Sequence, residues 1–342
     1  MVENSESYYL SGNMELVNNE DVYTYNIGVS YKKDDFYKIE LTNVINDHRQ
    51  IILRNEEGVY IVTPSLNKSF KFQSDWPYNN SQVYLLSSLL DDIMNDENRT
   101  FEANDSGYMF TSIVNYPNNE KLVSQKVYFN KDYLPTKVEV IDTDGNKQIT
   151  MVFDKIDLKT SFNDTYFDLN SILDTENVDD NNNSIDNGNS NDKTTNNMNN
   201  NSNNNETQEP NNEVSENMED GSSKIKETAT IDDIIYPMYL PVNTYLTSQE
   251  RVSTENGERL ILTFTGDSSF TLVEETVSYS SRPEIIPTYG DVELIGNSLA
   301  VINDNSANWF DNGIEYYVVS DVMSTEELLQ VVKSISVLPV SK

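Results

Sequence analysis

Over residues 23–31 apolar and polar side chains alternate. Tyr23, Tyr25, Ile27, Val29 and Tyr31 fall on one side, Thr24, Asn26, Gly28 and Ser30 on the other. A two-residue period is that of a strand with one buried face. Tyr37, Ile39 and Leu41 repeat it around Lys38 and Glu40, and residues 49–54 and 59–62 flank a hairpin-length loop ending in Gly58. Leu66, Phe70 and Phe72 form the same pattern until Trp76-Pro77, where proline has no amide proton to give a sheet. The period then changes. Leu86, Leu89, Leu90, Ile93 and Met94 share one helical face, and Asn80 or Ser81 is placed to cap a helix over 81–94. Alternation resumes at 108–116, 122–129, 136–141 and 148–156, with turns at Asn104–Gly107 and Asp142–Gly145. The pattern predicts a meander of roughly ten or eleven strands. Curled on itself under one helix, this sheet makes an unclosed antiparallel half-barrel over residues 5–172.

The pattern then stops. Residues 173–229 are rich in Asn and nearly devoid of apolar side chains, with thirteen Asp or Glu against three Lys between 174 and 227. Such a stretch cannot offset the entropy of ordering it, so a disordered linker is expected. Residues 230–342 read as a small α+β domain. Asn312-Gly313 joins two apolar strands, and Ser324 with Glu327 opens a capping box ahead of Leu328, Leu329, Val331, Val332 and Ile335. The fold class is mainly β, as two parts that fold independently.

Charge narrows the partners. A net of -34 leaves no basic footprint for nucleic acid, and an anionic membrane surface would repel the chain. Cysteine is absent, which excludes disulfides and thiolate metal sites, and the single histidine, His48, sits in a predicted polar loop. No phosphate loop or nucleophile elbow is present, and the adjacent pairs Asp91-Asp92 and Glu274-Glu275 face different directions, so nothing points to a carboxylate dyad. Asp142-Thr143-Asp144-Gly145 has its glycine too early for a calcium loop and reads as a turn. The residues point to no enzyme, metal or cofactor. The aromatic strands and their helix supply a core. They also offer a hollow for a ligand or partner, for which Tyr25, Ile27, Phe70, Phe72, Trp76, Leu86 and Leu90 are the candidates.

Two segments carry a resemblance. PSLNKSFKF…SDWPYNNSQVYLLSSLLDDI followed by LPTKVEVIDTDGNKQITMVFDKIDL resembles clostridial lipoproteins related to the germination protein GerS, which share the LolA/LolB/MucB carrier fold. Residues 236–338 are similar to a small C-terminal domain of unknown function found in exported and sporulation-linked Gram-positive proteins. The resemblance implies a LolA-like half-barrel and an extracytoplasmic protein tethered to the membrane of a spore-former. Membrane association would then run only through an N-terminal lipid anchor. Its lipobox cysteine is absent from this chain, and MVENSESYYL does not read as a signal peptide. The first expectation is a non-enzymatic protein that binds an envelope partner, such as a cell-wall hydrolase, in sporulation or germination. The alternatives are a carrier of lipid or lipoprotein acyl chains and a MucB-like envelope sensor.

Overall fold

In the computed structural model, residues 5–18, 21–73, 80–173, 229–255 and 257–335 are described. Residues 174–228, where the linker is expected, and Trp76 lie outside them.

Six strands open the chain: β1 (Ser7–Asn18), β2 (Asp21–Lys32), β3 (Phe36–Asn43), β4 (Arg49–Asn55), β5 (Gly58–Thr63) and β6 (Lys68–Phe72). Helix α1 (Leu86–Asn95) follows, then β7 (Thr100–Asn104), β8 (Gly107–Ile113), β9 (Leu122–Phe129), β10 (Pro135–Asp142) and β11 (Lys147–Asp157). Each strand pairs antiparallel with its neighbour in sequence, except that β6 and β7 are separated by α1; β1 meets β11 and joins the two runs into one sheet. The β1–β11 register shifts at Ser11/Gly12, where a Cβ on Gly12 would collide with the Val152 carbonyl. Only glycine allows so close a backbone approach. The sheet's ends, at β6 and β7, do not pair with one another, so the barrel stays open.

The alternation read from the sequence decides which face is buried. Tyr25, Ile27, Val29, Ile39 and Leu41 point into the concave core with Phe70 and Phe72, and Leu86, Leu89 and Ile93 of α1 pack on them. On the convex side Ile51, Leu53, Tyr60 and Val62 are covered by Phe167, Leu169, Ile172 and Leu173. These strands are therefore buried on both faces.

Helix α1 begins later than predicted. Its N-cap is Leu85, without a side-chain bond, because the capping candidate Ser81 is used elsewhere. The Ser81 hydroxyl accepts the Asn115 amide proton at 2.7 Å, and its own N–H donates to the Asn115 carbonyl. That pins residues 81–85 to the β8–β9 connection before a helix can start. The late start turns the buried face to Leu86, Leu89 and Ile93, leaving Leu90 half-buried and Met94 61% exposed. A charge on the buried seam has no partner, so Leu89→Asp should destabilise by several kcal/mol, on the order of 3 or more, and Met94→Asp by far less. Thermal melts of the two variants check this; equal melting temperatures would contradict the assigned face.

The remaining strands are β12 (Thr244–Thr254), β13 (Gly257–Gly266), β14 (Phe270–Thr276), β15 (Glu284–Thr288), β16 (Asp291–Ile295), β17 (Ser298–Ile302), β18 (Ser306–Asp311) and β19 (Ile314–Val319), followed by helix α2 (Thr325–Lys333). Seven of them form a second antiparallel sheet in the order β12-β13-β14-β19-β18-β17-β16. The α+β expectation for this part is corrected: it is β-rich, with one short helix on a seven-stranded sheet. Long hairpins account for this, since β12–β13 and β18–β19 each turn tightly and leave little chain for helix. The capping box is present at its centre, as Ser324 Oγ accepts from Glu327 N at 3.2 Å, while the Glu327 carboxylate takes the Ser268 hydroxyl.

Strand β15 does not join that sheet. It runs parallel to β6, from Glu284 opposite Lys68 to Thr288 opposite Phe72, and makes the first sheet twelve-stranded. The β6 edge is thereby covered by the second half of the same chain.

Candidate functional site

Two of the aromatic residues singled out from the sequence, Tyr25 and Phe70, are held by the chain's own second sheet. The β16–β17 turn enters the hollow of the half-barrel. Gly296 adopts φ +52° there, against the Tyr23 ring, and its carbonyl accepts the Tyr25 hydroxyl. Beside it Asn43 Nδ2 donates to Asn297 Oδ1 at 3.0 Å, and the Leu299 amide donates to Gln50 Oε1 at 2.5 Å. Phe70 stacks on Phe310 with centroids 5.0 Å apart and planes 13° from parallel. Leu299, Val301 and Phe310 thus belong to the core of the first sheet although they sit on the second. Ile27 and Leu86 are buried in the same core, Leu90 is half-buried, and Trp76 lies outside the described residues.

A cavity of about 460 Å³ remains where the plug does not reach. Met14, Leu41, Ile52, Val59, Phe72 and Leu122 line it from the first sheet and its loops, Leu299 from the second sheet and Leu329 from α2. Residues 80–84 and 116–121 close one side, and Asp291–Leu294 with Lys333 of α2 the other. Of the sequence candidates among the described residues, Phe72 alone reaches this space. The Tyr84 and Tyr116 phenols are both pushed up by burial, and the Tyr116 hydroxyl is buried without a hydrogen-bond partner. The volume is that of a small-ligand pocket with an apolar floor.

Asp311, beside the Asn297 turn, is pushed up to about 6 by burial, against hydrogen bonds from Asn297 and Asn312. Burial also raises Asp92 to about 6 and Glu274 to about 7; Glu274 is fully buried and accepts the Ile235 amide proton at 3.1 Å. These carboxyls hold protons more readily folded than unfolded. Stability is therefore gained as pH falls from about 7 toward 5 and lost as pH rises through their folded values. The melting temperature should be higher at about pH 5.5 than at about pH 8, and Glu274→Gln should reduce the difference. A variant with the wild-type pH slope would remove Glu274 as its source. Glu139 is the opposite case: burial raises it, but bonds from Lys147, Lys137 and Tyr128 outweigh that and hold it at about 2.

His48 is half-buried rather than exposed, and burial lowers its pKa. The Asp142 carboxylate accepts amide protons from Asp144 and Asn146 across a hairpin turn, at 3.0 and 2.8 Å. Among the described residues no group of three or more His, Asp or Glu is placed to hold a metal ion.

No family model matches the sequence. The sporulation protein YdcC of Bacillus subtilis (strain 168) is 33% identical over 332 residues, which cover 96% of this chain and 85% of that protein. The chain belongs to the YdcC family. The expectation of a sporulation protein agrees with this kinship. Among solved structures, the MucA/MucB complex of Pseudomonas aeruginosa aligns at TM-score 0.31 and 12% identity, over 97% of this chain and 94% of that one. The CwlD amidase of Clostridioides difficile in complex with the GerS lipoprotein aligns at TM-score 0.21 and 17% identity, over 47% and 89%.

The residues that complete the cavity from the second half of this YdcC-family chain carry no local signal. Asp291, Val292, Glu293, Leu299 and Lys333 lie more than two hundred positions from Phe72. Their sequence reads as ordinary strand and helix. The burial of the β16–β17 turn in the half-barrel and the pairing of β15 with β6 bring them to the first sheet.

Proposed function

We propose that this YdcC-family protein is a non-enzymatic envelope protein of sporulation, LolA-like in its first sheet, that works by binding a protein partner at the cavity between its two sheets. The observation that carries the reading is the combination at that place: a floor of buried apolar side chains, an unpaired Tyr116 hydroxyl and an open polar mouth. Contact sites of this kind, with an apolar centre and a polar rim, are where binding energy concentrates. The kinship supplies the sporulation setting. The resemblance to GerS-related lipoproteins supplies the envelope location, a lipid anchor and a cell-wall hydrolase as the partner class. No helix among the described residues is long and apolar enough to cross a membrane.

A photoreactive side chain at Val292, on the cavity wall, tests the reading in sporulating cells. Cross-linking to one protein from Val292, and not from the remote exposed Tyr133, is the expected result. Equal labelling from both sites would remove the cavity from the function. The apolar floor also suits a second reading, a carrier of acyl chains. Under it, native mass spectrometry of the protein from its own host would show a retained lipid mass.

A further inference from the structure

The mouth of the cavity has a chemistry distinct from its floor. Among the described residues six carboxylates stand around it, from Glu120, Asp142, Asp144, Asp291, Glu293 and Glu326, against two cations, Lys121 and Lys333. Lys333 is held by Glu293 at 2.8 Å. Asp291, on the same strand and side as Glu293, has no cation partner among the described residues; its carboxyl is pushed up by burial and by the Glu293 charge. A group crowded in this way gains from a positive charge placed beside it. An anionic head group, carboxylate or phosphate, would instead add to the repulsion.

Amide side chains complete the rim. Asn118, Asn119 and Gln330 border the opening, and each carries two donors and an acceptor, the complement of a peptide group. The Tyr116 hydroxyl in the wall lacks a partner and can donate to a carbonyl brought within reach.

We propose that the cavity receives an extended peptide segment of the partner protein, which sets one or two apolar side chains on the Phe72–Leu299 floor and a lysine or arginine against Asp291. This inference rests on the reading of the cavity as the binding site and adds the chemistry of what enters. The apolar side chains supply the burial. The basic residue supplies register, since among the described residues Asp291 is a half-buried carboxylate of the mouth that no cation holds. The peptide carbonyls and amides meet Tyr116 and the rim amides.

A random peptide display library panned against the full chain tests it. Val292→Trp, which fills the cavity from its wall, serves for counter-selection, and Val292→Phe is the second filling variant should the first melt below the parent. Enriched peptides are expected to join apolar residues to a nearby Lys or Arg and to weaken as salt is raised. On Asp291→Asn their affinity should fall by about tenfold. Enriched peptides without a basic residue, or with unchanged affinity for Asp291→Asn, would overturn the inference and leave cavity binding standing. If no peptide is enriched and palmitate binds the full chain but not Val292→Trp, the cavity belongs to acyl chains and the inference fails. Absence of any binder sensitive to Val292→Trp would overturn both the inference and the cavity reading.

Discussion

Phe310→Ala is expected to destabilise the protein by roughly 3–5 kcal/mol and to lower the stability of both sheets together. Phe310 lies on β18, yet its ring is 1% exposed and stacked on Phe70 of β6. Deleting it opens a void between two elements that no other side chain can fill without shifting the β16–β17 turn. The neighbouring links are polar and short: Tyr25 to Gly296, Asn43 to Asn297, Gln50 to Leu299. A shift of the turn would leave those buried groups without partners, at about 1–3 kcal/mol each. The cost is therefore shared by both sheets. Native-state amide exchange at β2 and β13 checks this, because both should accelerate by a similar factor. A variant in which β13 exchanges faster while β2 is unchanged would show that the sheets are energetically separate.

The strands of the first sheet were legible because their pattern is local. Tyr23 to Tyr31 alternates so regularly that only one face can be buried, and the Asn55–Gly58 and Asn312-Gly313 hairpins follow from turn chemistry. The helix was legible in existence and in Leu86, Leu89 and Ile93. Its start was not, because Ser81 has two uses and the Asn115 backbone thirty-four residues away decides between them. Tyr25, Phe70 and Phe72 are buried, but their neighbours were invisible. Tyr25 and Phe70 meet Gly296 and Phe310, more than two hundred residues further on, and nothing in residues 280–311 distinguishes a plug from an ordinary hairpin. Strand β15 shows the same limit. SRPEIIPTYG has a proline at its fourth strand position and reads as a weak edge at best. Its parallel pairing with β6 is a long-range event that no periodicity encodes. The cavity was legible only through Phe72, since half its wall depends on that same docking.

A chain cut between residues 175 and 228 is expected to stay together as one particle. The composition of that stretch, taken alone, predicts two fragments that separate and fold independently. The contacts across the seam argue for the opposite. Five residue pairs of parallel ladder join β15 to β6, and Leu299, Val301 and Phe310 bury their side chains in the first core. Each such side chain contributes about 1.5–3 kcal/mol relative to exposure, so three of them exceed what the Lys68–Glu284 ion pair at the edge can add. Cutting the connection removes only its effective concentration, which two fragments at micromolar levels can replace when the interface is this apolar. A protease site introduced near residue 200 provides the test. After cleavage the fragments should co-elute on gel filtration and melt in one transition. The first fragment isolated under denaturant should refold poorly alone, with the Tyr25, Phe70 and Phe72 face exposed and the β6 edge unpaired. It should recover when the second fragment is added. Two fragments that elute apart, each keeping the melting temperature of the intact chain, would mean that the seam is a contact of convenience and that the half-barrel stands empty in solution.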